Sequence, residues 1–422
     1  MLEKVQEKQR ISTLLVIIIG GEAVFFLPFV LARIFRPTLL AVFEISNTEL
    51  GTYFATYGIV AMASYIFGGA LADRFSARNL MAIALWLTSL GGLIMAWLPS
   101  STVMIALYGF WGFTSIFLFW AAMIRATREW GGSGFQGRAF GWLEGGRGGT
   151  AAILGTISFI LFSLFTVETP VGSPAKQGFH AFQIVILVIS GIIFISGILI
   201  WLYVPKGNSV SGTKSTSEAL KNIGVLIRMP TIWMLAIMII CAYVGYKITD
   251  DFSLYAKEVL GFSEVNAAGI GTAALWIRAS IAILAGYMAD RLNRVNVIIG
   301  CYALSVGCGL LVGFGILDRI TGLVLINLTF LAVGIYGVRA IYFSIMKEAN
   351  IPVGFTGTAV GIVSFVGYTP DVFMSPWMGH LLDTYPGNPG HQYVFLVLSL
   401  FAFIGLMTSL VFKLRDGKQR NN

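Results

Sequence analysis

Twelve ionisable side chains interrupt stretches otherwise made of Leu, Ile, Val, Phe, Ala and Gly. The basic ones are Arg33, Arg36, Arg125, Arg147, Lys247, Arg278 and Arg339; the acidic ones are Glu22, Glu144, Asp250, Asp251 and Asp371. A charge held at bilayer depth is costly unless paired or hydrated, so each is a candidate functional group. Seven against five leaves positive charge over, and a bound anion would offset it. A guanidinium suits that chemistry, because its rigid donors grip carboxylate, phosphate or sulfonate in pairs. Arg33 is the first choice for such a contact and Lys247 its partner from the other half of the chain. Arg36, Arg339, Arg147 and Tyr57 complete the candidate substrate-binding set. Spacing offers a second role. Glu144 and Arg147 are three apart on one helix, and Lys247 precedes Asp250 by three and Asp251 by four, so local ion pairs are available. Glu22, Glu144, Asp250, Asp251 and Asp371 are therefore candidates either for proton coupling or for charge pairing.

The segments that must position these groups are membrane spans. Hydrophobic residues make up 57% of 422 positions and charged residues 11%, well under the charge share of a water-soluble domain. Apolar runs long enough to cross the hydrocarbon layer recur about twelve times, the first near 13–42 and the last near 392–412. Helices are the expected solution, since lipid offers backbone amides no partners. The longest hydrophilic break runs from Pro205 to Pro230 and is rich in Ser, Gly, Thr and Lys. It predicts an N-terminal six-helix bundle at 1–204, a cytoplasmic linker at 205–230 and a C-terminal six-helix bundle at 231–422. Lys and Arg gather in the loops on the side of the termini, with only Lys176, Lys257 and Arg319 opposite. That asymmetry predicts both termini in the cytoplasm and an integral, multi-pass protein of the plasma (inner) membrane. The formal charge of +8 then reports topology and gives no support to nucleic-acid binding.

The two halves repeat one another. GGALADRFSAR (Gly68–Arg78) follows the second span, and AGYMADRLNR (Ala285–Arg294) follows the eighth. Both contain Gly-x-x-Ala-Asp-Arg, the mark of duplicated bundles in secondary transporters. Over its whole length the chain resembles the major facilitator superfamily. The resemblance implies an all-α fold of twelve transmembrane helices in two pseudo-symmetric bundles, and transport by alternating access. It also implies a cytoplasmic gate of charge contacts at Gly69, Asp73, Arg74, Arg78, Asp290 and Arg291. More narrowly, LARIFRPTLLAVFEISNTELGTYFATYGIVAMASYIFGGALADR and YVGYKITDDFSLYAKEVLGFS are similar to the organophosphate:phosphate antiporters and the wider organic anion branch. In that group an arginine in each of these helices binds the substrate's phosphate. Arg33 matches the first position. Gly245 stands at the second, with Lys247 two residues on, and Gly146 beside Arg147 stands near the group's histidine.

These features point to a secondary active transporter of a small organic anion: a carboxylate, phosphate ester or sulfonate, moved as a proton symporter or an anion antiporter. The alternative is a drug, multidrug or neutral-solute exporter of the same fold, which would favour acidic over basic cavity residues. The expected partners are the small anionic substrate, the bilayer, and protons or a counter-anion, with the protein a monomer. No P-loop occurs, and His180, His380 and His391 form no ligand cluster by spacing, so neither enzyme activity, cofactor nor metal is expected.

Overall fold

A computed structural model describes residues 2–131, 136–166, 174–206, 224–318, 320–346, 349 and 356–421, and among them every regular element is a helix. The N-terminal six are α1 (Ile11–Phe43), α2 (Asn47–Arg74), α3 (Ala77–Ala96), α4 (Ser101–Gly131), α5 (Gln136–Phe165) and α6 (Pro174–Tyr203). The C-terminal six are α7 (Pro230–Glu258), α8 (Glu264–Arg291), α9 (Arg294–Gly313), α10 (Thr321–Ile345), α11 (Thr356–Gly367 continuing as Pro370–Thr384) and α12 (Asn388–Asn421). Ten of them are long and apolar enough to cross a bilayer. The other two, α2 and α11, pack against each other. Most of the linker 205–230 lies outside the described residues. Buried apolar side chains form two clusters: one drawn from 14–204 and joined by Ala268 and Leu275, the other from 226–412.

The regular helical ladder breaks on α1, α4, α7 and α10, the first helix of each successive group of three, and again between the two segments of α11. In α1, Pro28 sits in a π-helical stretch, Phe26–Val30, because proline has no N–H and its ring displaces the carbonyl four residues earlier. Pro37 repeats the effect. Phe35 leaves helical geometry (φ −114°, ψ 31°), and the Arg33 carbonyl, which Pro37 cannot bond, accepts a hydrogen bond from Ser253 Oγ of α7 at 3.0 Å. α4 carries a π stretch at Phe113–Trp120, and α7 tightens to a 3₁₀ turn at Thr249–Asp251. α10 ends in another 3₁₀ turn, Tyr342–Met346.

The two bundles meet through α2 against α11, α5 against α8, and α1 against α7 and α8. Gly141, Gly148 and Gly155 lie seven residues apart on one face of α5. A methyl group added at Gly155 would stand 2.7 Å from Leu275 of α8; at Gly148 it would stand 3.4 Å from Ala279; at Gly141 it would meet nothing within 4 Å. The two helices come nearest at Gly148, since the neighbour at Gly155 is the end of a leucine side chain, and Gly141, toward the side carrying the termini, faces open space; α2 and α11 close the opposite side. On the closed side Gly379 of α11 lies directly against the Asn47 carbonyl, where no larger residue fits, and Gly51 faces Pro376.

A polar clasp seals the closed side. Ser46 caps α2 through a reciprocal box with Glu49, as the S-x-x-E spacing dictates. The Asp383 carboxylate of α11 then accepts from the first free amides: Asn47 N and Nδ2 at 3.1 Å, Thr48 N at 2.8 Å and Thr48 Oγ1 at 2.6 Å. A carboxylate there also meets the positive end of the helix dipole. Thr38 of α1 donates to Glu264 at the start of α8, which also pairs with Lys257.

Candidate functional site

At mid-depth, where the broken helices converge, the sequence-selected charges form one connected network. The Arg33 side chain is fully buried. Its Nε and Nη2 both lie 2.6 Å from Asp250 Oδ1, and Nη1 donates to the Tyr246 hydroxyl at 2.9 Å. Lys247 lies 3.7 Å from Asp250 Oδ2 and 3.4 Å from Asp371 Oδ1 of α11, with the rings of Phe29 and Phe54 each 4.6 Å away. The Tyr243 hydroxyl donates to Asp371 at 3.0 Å. On the other side of α1, Glu22 holds Arg278 of α8 at 3.0 Å and Arg147 of α5 at 3.3 Å. Arg147 also donates to the Gly21 carbonyl at 3.0 Å and pairs with Glu144 at 2.9 Å. Two ion pairs, Arg33–Asp250 and Glu22–Arg278, thus cross between the bundles, both from α1.

Tyr246 is the hub. Its ring carries Arg339 at 3.5 Å, Arg33 at 4.3 Å and Arg278 at 6.0 Å, within the range of cation–π attraction. Arg339 differs from the other cations. Among the described residues it pairs with no carboxylate, and its Nη1 is buried without an acceptor. The aromatic wall around it includes Tyr243, with the Tyr368 ring tilted against that of Tyr243 at 4.9 Å and its hydroxyl 3.4 Å from that of Tyr342.

The structure therefore gathers Glu22, Arg33, Glu144, Arg147, Lys247, Asp250, Arg278, Asp371 and Arg339 at one centre. It places three selected residues elsewhere. Arg36 lies under the clasp, buried, with Nε and Nη2 on the Asn47 Oδ1 at 3.1 and 2.9 Å. Asp251 turns into the C-terminal bundle, 2.7 Å from His391 Nδ1, whose Nε2 lies 3.1 Å from Glu258. Tyr57 is inside the N-terminal bundle, its hydroxyl 2.5 Å from Ser115. Arg125 pairs with Glu129 at 2.7 Å, so with Arg36, Arg125 and Asp251 engaged elsewhere the excess of seven over five falls to five over four at the centre. Of the candidate gate, Arg74 and Arg291 are exposed, Arg78 is half-buried 5.5 Å from the Trp201 ring, and the surroundings of Gly69, Asp73 and Asp290 lie outside the described residues.

Sequence reasoning passed over Asn47 and Asp383 as an interbundle pair, and over His391 as the partner of Asp251. The capping box at Ser46–Glu49 marked the start of α2, but nothing in the sequence places Asp383 against it. Tyr246 was one tyrosine among many; the signal was its position next to Lys247.

The family model of the major facilitator superfamily matches residues 13–370. Inner membrane protein YqcE of Escherichia coli is 29% identical over 96% of this chain and 95% of its own length. Inner membrane protein YihN of the same organism is 26% identical over 90% and 89%. Among solved structures, a D-xylose–proton symporter superposes with a TM-score of 0.76 at 15% identity, covering 95% of this chain and 97% of that one. The nucleoside transporter NupG gives 0.74 at 12%, covering 96% and 99%.

Proposed function

The chain belongs to the major facilitator superfamily and is a multi-pass secondary transporter working by alternating access, and we propose that its substrate is a small organic anion. A carboxylate, phosphate ester or sulfonate would each suit, carried with a proton or against a second anion. The observation that supports this reading is Arg339. A guanidinium N–H buried without an acceptor is energetically unfavourable. An anionic oxygen supplied from the cavity would satisfy it, and the Tyr246 face already holds the group in place. Arg33 and Lys247 contribute to the field around that position while Asp250 and Asp371 hold them. With the termini in the cytoplasm, as the Lys and Arg distribution supports, the open space at Gly141 faces inward and the Asp383 clasp is the outer closure. Of the candidate coupling carboxylates, Glu144 is 62% and Asp371 13% exposed, so these two meet cavity water most directly.

Uptake of radiolabelled carboxylates, phosphate esters and sulfonates into proteoliposomes tests the reading, with and without a pH gradient or an internal counter-anion. Saturable uptake of an anion, lost in Arg339→Gln, is the expected result. Uptake restricted to neutral or cationic solutes, and indifferent to Arg339→Gln, would overturn it in favour of the exporter alternative.

A further inference from the structure

The central network has one more cation than carboxylates. Arg33, Arg147, Lys247, Arg278 and Arg339 face Glu22, Glu144, Asp250 and Asp371, and each carboxylate is within 4 Å of at least one of the first four cations. Arg36 and the Asp251–His391–Glu258 group are set apart from this network by their own partners. The surplus is one positive charge, and Arg339 carries it. Next to Arg339 the surface is built of phenols: Tyr243, Tyr246, Tyr342 and Tyr368, with Tyr336 behind Tyr246 at 6.3 Å and its hydroxyl unpartnered. Phenols offer hydroxyl hydrogen bonds beside a flat apolar face. Tyr246 only accepts, from Arg33, and the Tyr342–Tyr368 pair uses one of its two O–H groups, so the wall keeps O–H donors that a simple apolar anion would leave unused.

From this charge count and this lining we infer that the site takes a singly charged, hydroxyl-bearing anion of the sugar-acid type, its acid group on Arg339 and its hydroxyls on the tyrosine wall. The inference rests on the anion reading above and narrows it. A doubly charged ligand would bring one negative charge more than the centre can neutralise. Once the bundles close around the ligand and exclude the cavity water, such an uncompensated charge is penalised as any buried unpaired charge is.

Purified protein in lipid nanodiscs is titrated with four probe sets, followed by thermal unfolding shift and calorimetry. The sets are aldonates and uronates of several stereochemistries, the corresponding aldarate dianions, hexanoate, and the parent neutral sugars. The expected result is binding by at least one sugar-acid monoanion, at least about tenfold tighter than its dianion, and no comparable binding by hexanoate or neutral sugar. Glu144→Gln and, separately, Asp371→Asn each raise the surplus to two. Each should improve the dianion relative to the monoanion by on the order of a hundredfold, as for unit charges roughly 6 Å apart at an effective dielectric constant of about 20. Wild-type preference for dianions or hexanoate, or an unchanged ratio in both variants, overturns the valence argument and leaves the anion reading standing. Binding by the neutral sugars alone overturns both.

Discussion

Removing the Asp383 carboxylate should open the face that is closed here. In this state it accepts four hydrogen bonds from Asn47 and Thr48 across the bundle boundary, and it caps the α2 N-terminus. All four must break when α2 and α11 separate, so they contribute to one conformation only and bias the equilibrium by their full value. The site is exposed to water, which places each bond near the low end of the usual range, about 0.5 kcal/mol. Four of them give about 2 kcal/mol, with a few tenths more from the helix dipole. Asp383→Ala should therefore shift the population toward the alternative state by about thirtyfold. Ser375 is a suitable reporter: it is 1% exposed beside Gly51 in the seam, and its hydroxyl has no partner to lose. The rate at which Ser375→Cys reacts with a membrane-impermeant maleimide should rise about thirtyfold in the Asp383→Ala background, after subtraction of Cys241, Cys301 and Cys308. Asp383→Asn keeps one acceptor oxygen and should fall between. An unchanged rate in Asp383→Ala would refute the idea that these bonds hold the two bundles together.

Gly379→Val drives a side chain into the Asn47 carbonyl and should open the same face further than Asp383→Ala, read as a longer distance between spin labels on the α1–α2 and α11–α12 turns. Arg33→Ala leaves Asp250 buried with only Lys247 at 3.7 Å, so it should abolish transport and destabilise the protein by about 3 kcal/mol; adding Asp250→Ala should restore much of the unfolding temperature but not the transport. Asp73→Asn should slow the transport cycle while leaving substrate binding within about twofold, measured as turnover against affinity in proteoliposomes, if the repeated Asp-Arg motif biases one conformation.

The helices were legible because the signal for a span is composition over a long window, and the duplicated Asp-Arg motif suggested how to group them. The charges at the centre were legible too, because lipid makes any ionisable group in an apolar run conspicuous. Their bookkeeping was not. Lys247 and Asp250, three apart on one helix, could be paired from spacing, as could Glu144 and Arg147. Arg33–Asp250 and Glu22–Arg278 join residues more than two hundred positions apart, and helix rotation decides them. The same rotation sends Asp251 to His391 while its neighbour Asp250 meets Arg33. It also sends Arg36, one turn beyond Arg33, to Asn47 at the rim. Pro37 sits between these outcomes: by breaking the ladder it bends α1 at Phe35 and frees the Arg33 carbonyl for Ser253. That proline was in plain view, but its consequence depends on which helix lies alongside.

Both ion pairs that cross the boundary start from α1, the most irregular helix of the N-terminal bundle, and this ties conformation to charge. When the closed face opens, α1 draws away from α7, and Arg33 loses either Asp250 or its place in the dry interior. A buried pair broken on one side leaves a charge whose isolation is worth about 3–5 kcal/mol, comparable with the bias that the outer clasp supplies. The empty protein therefore has two reasons to stay as it is, one electrostatic at its centre and one from hydrogen bonds at its rim. Water entering the opened cleft would meet the first, and a ligand that restores charge balance at the centre would meet it more completely. Glu22 supplies the same coupling to α8 through Arg278. A solute that brought no charge to this network could weaken neither pair. Under the proposed function, the ion pairs would then favour charged cargo in the step that moves the bundles.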